Sequence, residues 1–194
     1  RVSREGYVMR RLKWVLWSSL LLLALLWLLT EPGLRETQSF FGWRNLLVQL
    51  SGILAMGCMS LAMLLALRPQ WLESWLDGLD KMYRLHKWLG VAALVTGIVH
   101  WLAAKGPKWA VGWGWLTPPE KGAAALQQPL EAFFHSQRGT AESLGEWAFY
   151  AAAILIVLAL IKRIPYRLFH QTHRLLAITY LVLAVHSVVL FKFS

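Results

Sequence analysis

The sequence predicts an all-α membrane protein, a bundle of five transmembrane helices. Two observations carry that reading. Hydrophobic residues make up 57% of the 194 residues and gather in long runs rather than spreading along the chain, as in a chain whose solvent is lipid. The net charge of +10 comes from basic residues set at the ends of those runs. That distribution orients a membrane protein and argues against a nucleic-acid surface.

A spanning helix needs about 20 mostly apolar residues. Five segments qualify, at about 12–30, 45–67, 82–104, 143–162 and 167–191. In lipid every backbone polar group must be paired internally, so such runs are helices, and none alternates as a membrane barrel strand would. The first run follows Arg10, Arg11 and Lys13 and is too long for the apolar core of a signal peptide. Many of the 12 Trp sit near span ends, where indole rings favour the membrane–water boundary. The connections differ in character. Residues 31–44 begin with a Pro-Gly breaker. Residues 68–81 place Trp71, Leu72, Trp75, Leu76 and Leu79 at helical spacing against Glu73, Asp77 and Asp80, which predicts a helix lying in the interface. Residues 105–142, rich in Gly, Pro and Trp, read as a long loop, and 163–166 as a tight connection. With the N-terminus in the cytoplasm, 13 of the 20 Lys and Arg fall on that side, as the positive-inside rule requires. The single cysteine, Cys58, has no partner for an intrachain disulfide or a thiolate metal site and reads as a small core residue.

Four of the six histidines stand out. His86 and His100 lie 14 residues apart in the third span, close to four helical turns and roughly 21 Å along the axis. Both rings thus face one side of the helix, one near each edge of a hydrocarbon core of about 30 Å. They are too far apart to share an ion. His173 and His186 lie 13 residues apart in the fifth span, roughly 20 Å along a helix running in the same direction. The expectation is therefore two depths with two imidazoles at each, which is what a pair of six-coordinate haems requires. A lone intramembrane His is often only a hydrogen-bonded core residue; two pairs at matching spacing are harder to explain that way. The 13-residue spacing does leave the second ring turned by about 140° from the first, which reach, tilt or local distortion must absorb. His170, one turn before His173, reads as a hydrogen-bonding or surface residue.

Gly90 and Gly97 lie one turn inside His86 and His100, and Ala177 one turn after His173. Small residues there clear space for a flat macrocycle, or equally for close helix packing. Arg84, Lys87 and Arg174 on the inner side, and Lys105 and Lys108 on the outer, are candidate partners for haem propionates; as snorkelling anchors, the inner three are explained equally well.

The stretches YRLHKWLGVAALVTGIVH (83–100) and FHQTHRLLAITYLVLAVH (169–186) resemble the transmembrane domain shared by ferric reductases and NADPH oxidases, especially bacterial members. The likeness extends over about 60–190. It implies an integral protein of the bacterial inner membrane that binds two haem b groups. His86 and His173 would hold the inner haem, and His100 and His186 the outer. It further implies that NADPH and FAD on a cytosolic domain or separate reductase supply electrons, and that a small extracytoplasmic acceptor, ferric chelate or dioxygen, receives them. The family's sixth span and its flavin and nucleotide domains are expected outside this chain, so that 1–194 forms one transmembrane haem domain; no glycine-rich nucleotide loop is found in it. No side chain is assigned a catalytic role. An alternative keeps the haems and takes electrons from quinol or a separate flavin reductase for a periplasmic reductase, although such relatives lack the full set of four histidines. A metal or proton transporter would call for acidic partners within spans three and five, which have none.

Overall fold

Long apolar runs closed by polar caps give six helices, with no strand, among the described residues. The structure is a computed structural model that describes residues 2–31, 39–76, 78–117, 129–161 and 165–190. The helices are α1 (Val2–Thr30), α2 (Phe40–Ala66), α3 (Gln70–Leu76), α4 (Leu79–Gly112), α5 (Pro129–Leu160) and α6 (Tyr166–Leu190). Five of them are long and apolar enough to cross a membrane. The protein is thus an all-α chain with five candidate spans, as the hydrophobic pattern predicts.

The chain divides into two compact units, residues 1–103 and 104–194. In the first, Leu12 of α1, Cys58 and Leu65 of α2, Leu76 of α3 and Met82, Leu85, Leu89 and Ala93 of α4 form the core. Cys58 is fully buried there and takes no part in a disulfide. The outside is as apolar as the inside. On α1, Leu21, Leu22, Leu25 and Leu29 all face outward, a distribution suited to acyl chains and not to water. In the second unit α5 packs along α6 through a stripe of small residues. Ala141, Ala148 and Ala152 are buried there, and Gly145 completes the spacing, which lets the two backbones approach closely.

Helix ends depart from the hydrophobic boundaries for local reasons. The second span begins earlier than residue 45, because Ser39 caps α2 by accepting from the Gly42 N–H at 3.1 Å. The interfacial helix expected over 68–81 is only the two turns of α3. Gly78, at φ 125°, breaks the chain, and Leu79 and Asp80 already belong to α4. Within α3, Leu76 is buried while Trp71 and Trp75 face outward, with the Arg11 guanidinium 5.4 Å from the centre of the Trp75 ring.

The long loop expected over 105–142 is corrected most. Helix α4 runs on through Pro107 to Gly112, and α5 starts at Pro129. What stops α4 is a Schellman turn: Gly114, at φ 76°, places its N–H on the Val111 carbonyl (3.0 Å) and the Trp115 N–H on the Ala110 carbonyl (2.8 Å). Lys105, Lys108, His135 and Arg138 are therefore helical residues. The Pro-Gly breaker at 32–33 and most of the 163–166 connection lie outside the described residues.

Candidate functional site

Three of the four intramembrane histidines are seated in the same way. The Nδ1 of His86 lies 2.9 Å from the Ala62 carbonyl oxygen, and that of His100 lies 2.9 Å from the Val48 carbonyl oxygen, both on α2. The Nδ1 of His186 lies 2.7 Å from the Ala141 carbonyl oxygen on α5. A carbonyl oxygen can only accept, so Nδ1 carries the proton in each ring. The neutral imidazole then keeps its lone pair on Nε2. This is the arrangement by which proteins orient a metal-binding histidine and raise its basicity.

The carbonyl of a helical residue points toward the residue four positions later. An outside donor reaching it must pass close over that later residue, which favours a missing Cβ there. Gly52 follows Val48 by four, and Gly145 follows Ala141 by four. A Cβ on Gly52 would stand 3.2 Å from Cε1 and Nδ1 of His100, and one on Gly145 would overlap the His186 ring. Ser51 Oγ is a further neighbour of His100, 3.5 Å from Nδ1. The carbonyl seats and their glycines escaped the sequence reading, which looked for small residues on the ligand helices. A glycine one turn beyond an apolar residue, on the membrane span preceding the ligand span, is the signal that was available for His100 and His186.

His173 is held differently, its ring stacked on Phe169 one turn earlier at 5.0 Å between centroids and 19° between planes. The rotation of about 140° expected between His173 and His186 is thus met by separate neighbours. One ring leans on α5 and the other lies along its own helix. A Cβ on Gly90 would meet nothing within 4 Å, which leaves the clearance expected beside His86. Gly97, on the same helix, lies one turn before His100.

The candidate cations fall into two groups. Arg84, Lys87 and Arg174 are exposed. Lys105 instead is half-buried and engaged with its neighbour on α5: its Nζ donates to Glu146 at 2.6 Å, and Tyr150 Oη donates to the other Glu146 oxygen at 2.7 Å. One turn along, Lys108 meets Glu142 at 3.0 Å, and Arg138 meets the same carboxylate at 3.3 Å. Both carboxylates at the start of the fourth span are thereby paired with cations. His170 is exposed, and the His135 side chain lies outside the described residues.

Among the described residues no three His, Cys, Asp or Glu side chains converge as a site for a bare metal ion. Haem iron asks less of the protein, two axial donors at most, because the macrocycle supplies the other four. Imidazoles with a protonated, carbonyl-bound Nδ1 and a glycine-cleared flank fit that demand.

No curated protein and no solved structure matches the chain. A family model does: the ferric reductase like transmembrane component matches residues 51–184, ending two residues before His186 but including His86, His100 and His173. That match covers more than half of the chain, which therefore belongs to the ferric reductase-like transmembrane family, a membership that points to the membrane domain of an oxidoreductase and to electron transfer across the bilayer.

Proposed function

We propose that the chain carries electrons through the membrane by way of two bis-His b-type haems. His86 and His173 ligate one, and His100 and His186 the other. The observation that carries this reading is the shared seating of His86, His100 and His186, each with Nδ1 hydrogen-bonded to a backbone carbonyl of the neighbouring helix. A histidine serving only to satisfy itself in an apolar core would do so with either nitrogen. In all three rings it is Nδ1 that meets a carbonyl, which sets the tautomer whose lone pair lies on Nε2.

When bound, haem would supply the one-electron chemistry of its iron, and the imidazoles of His86, His173, His100 and His186 would hold it for electron passage rather than ligand binding. The chain's own residues do the rest. Ala62, Val48 and Ala141 fix the tautomer and aim of three rings, and Phe169 braces the fourth. Gly90 leaves room at the flank, while Arg84, Lys87 and Arg174 offer charge to carboxylates at the helix ends. Under this reading the N-terminus is cytoplasmic in a bacterial inner membrane. The donor is a cytosolic NAD(P)H- and FAD-binding domain or reductase, and the acceptor is ferric chelate or dioxygen on the far side.

The test is spectroscopic. The full chain reconstituted with haem is expected to show a sharp low-spin Soret band that shifts on dithionite reduction, with two haems per chain. Leucine at either member of a proposed pair, His86→Leu or His173→Leu, should remove the same haem and spare the other. Protein that stays colourless, or pairs that do not segregate, would end the reading. Comparing superoxide with ferrous iron produced by the reduced protein identifies the acceptor.

A further inference from the structure

Pro107 lies inside α4. It has no N–H, and its ring crowds the carbonyl four residues earlier. That carbonyl belongs to Ala103, and in lipid no water replaces the missing donor. A side chain replaces it: Arg44 Nε, at the start of α2, donates to the Ala103 oxygen at 3.1 Å, while its Nη1 donates to Asn45 Oδ1 at 3.0 Å. Arg44 is half-buried, an expensive place for a guanidinium unless it is well paired.

The location matters as much as the bond. Ala103 follows His100 by three residues on α4, and Arg44 precedes Val48 by four on α2. The Arg44–Ala103 bond and the His100–Val48 bond are therefore successive rungs between the same two helices, one turn apart. The first secures the turn that proline weakens, and the second aims the imidazole.

We propose that Arg44 is a positioning residue for His100: its guanidinium stands in for the backbone donor that Pro107 removes, ties that turn of α4 to α2, and so holds the ring where it binds iron. The proposal rests on His100 being an iron ligand. It also makes a demand that a charge effect would not: restoring the backbone N–H should make Arg44 dispensable.

The experiment compares Arg44→Met, Arg44→Lys, Pro107→Ala and the double variant Arg44→Met/Pro107→Ala in the full chain. Each is read by the rate of haem loss to apomyoglobin, by the low-spin electron paramagnetic resonance signal of each haem, and by thermal unfolding of the haem-free protein. Arg44→Met should speed loss of the His100 haem by roughly tenfold, the lower end of what loss of an outer-shell partner causes. It should shift that haem's signal and leave the other unmoved. Arg44→Lys, still able to donate to a carbonyl, should restore part of the loss. Pro107→Ala in the double variant should restore most of it. A parental signal in Arg44→Met, or an equal defect in the double variant, overturns the proposal. If the parent binds no haem, the functional reading and the iron role fail together. The haem-free melting curves then decide the tie itself, which stands only if Pro107→Ala suppresses the instability of Arg44→Met.

Discussion

Gly145→Ala offers a graded test of how the histidines are seated. The added Cβ would overlap the His186 imidazole, so the ring must leave its place or α5 must move off α6. Three effects compete. Overpacking costs about 1–3 kcal/mol. Loss of the 2.7 Å bond from His186 to the Ala141 carbonyl costs about 1 kcal/mol. Replacing glycine by alanine inside a helix returns about 1 kcal/mol. The balance is a loss of about 1–3 kcal/mol, or roughly 5- to 150-fold in the population that keeps the ring in place. Gly52→Ala is the internal control. Its Cβ would stand 3.2 Å from the His100 ring, a contact that a shift of a few tenths of an ångström relieves, so strain and helix propensity nearly cancel. The assay is chemical denaturation of the haem-free chain together with haem retention. Gly145→Ala should lose the haem proposed at His186 and unfold at lower denaturant, whereas Gly52→Ala should stay near the parent on both counts. Equal behaviour of the two variants would refute the assignment of Gly145 as the position that clears space for the His186 ring.

Gly90→Ala should stabilise the haem-free chain by about 1 kcal/mol, because its Cβ would meet nothing within 4 Å, yet weaken haem retention beside His86; equal gains with and without haem would show that the macrocycle does not use that space. Lys105→Met leaves Glu146 half-buried beside Tyr150 and should cost about 1–3 kcal/mol, between the values for exposed and buried pairs, with Lys105→Met/Glu146→Gln recovering much of the loss in urea titrations. Phe169→Leu removes the ring stacked on His173 and should cost about 0.5–1.5 kcal/mol; a change in the spectrum of the haem proposed at His173 without any change in the other is the expected mark.

The spans and the histidines were legible for the same reason: apolar runs and costly polar groups within them are written in residue type. All five candidate spans contain the segments read from hydrophobicity for most of their length. Ends were less legible, because they depend on backbone geometry. The Schellman turn at Gly114 and the break at Gly78 rest on positive φ values, and both glycines stand among ordinary neighbours. The Gly, Pro and Trp of 105–142 argued for a loop, yet α4 passes through Pro107, and Arg44, 63 residues before that proline, donates to the Ala103 carbonyl. The seats of the histidines were least visible. A backbone carbonyl has no residue type, so Val48, Ala62 and Ala141 look like any other apolar positions until the neighbouring helix is in place. Lys105 was legible as a cation near a span end, but its commitment to Glu146 needed the packing of α4 beside α5 within the second unit.

The spacing of the two seats on α2 has a mechanical consequence. His86 and His100 are separated by 14 residues on α4, and their acceptors Ala62 and Val48 by 14 residues on α2. The helices therefore mesh like two rulers with identical graduations. Adding or deleting one residue between the marks on either ruler puts one imidazole out of step, whichever helix is altered. The interval between two redox centres mounted on these rings would then be a property of both rods together, resistant to drift in either one alone.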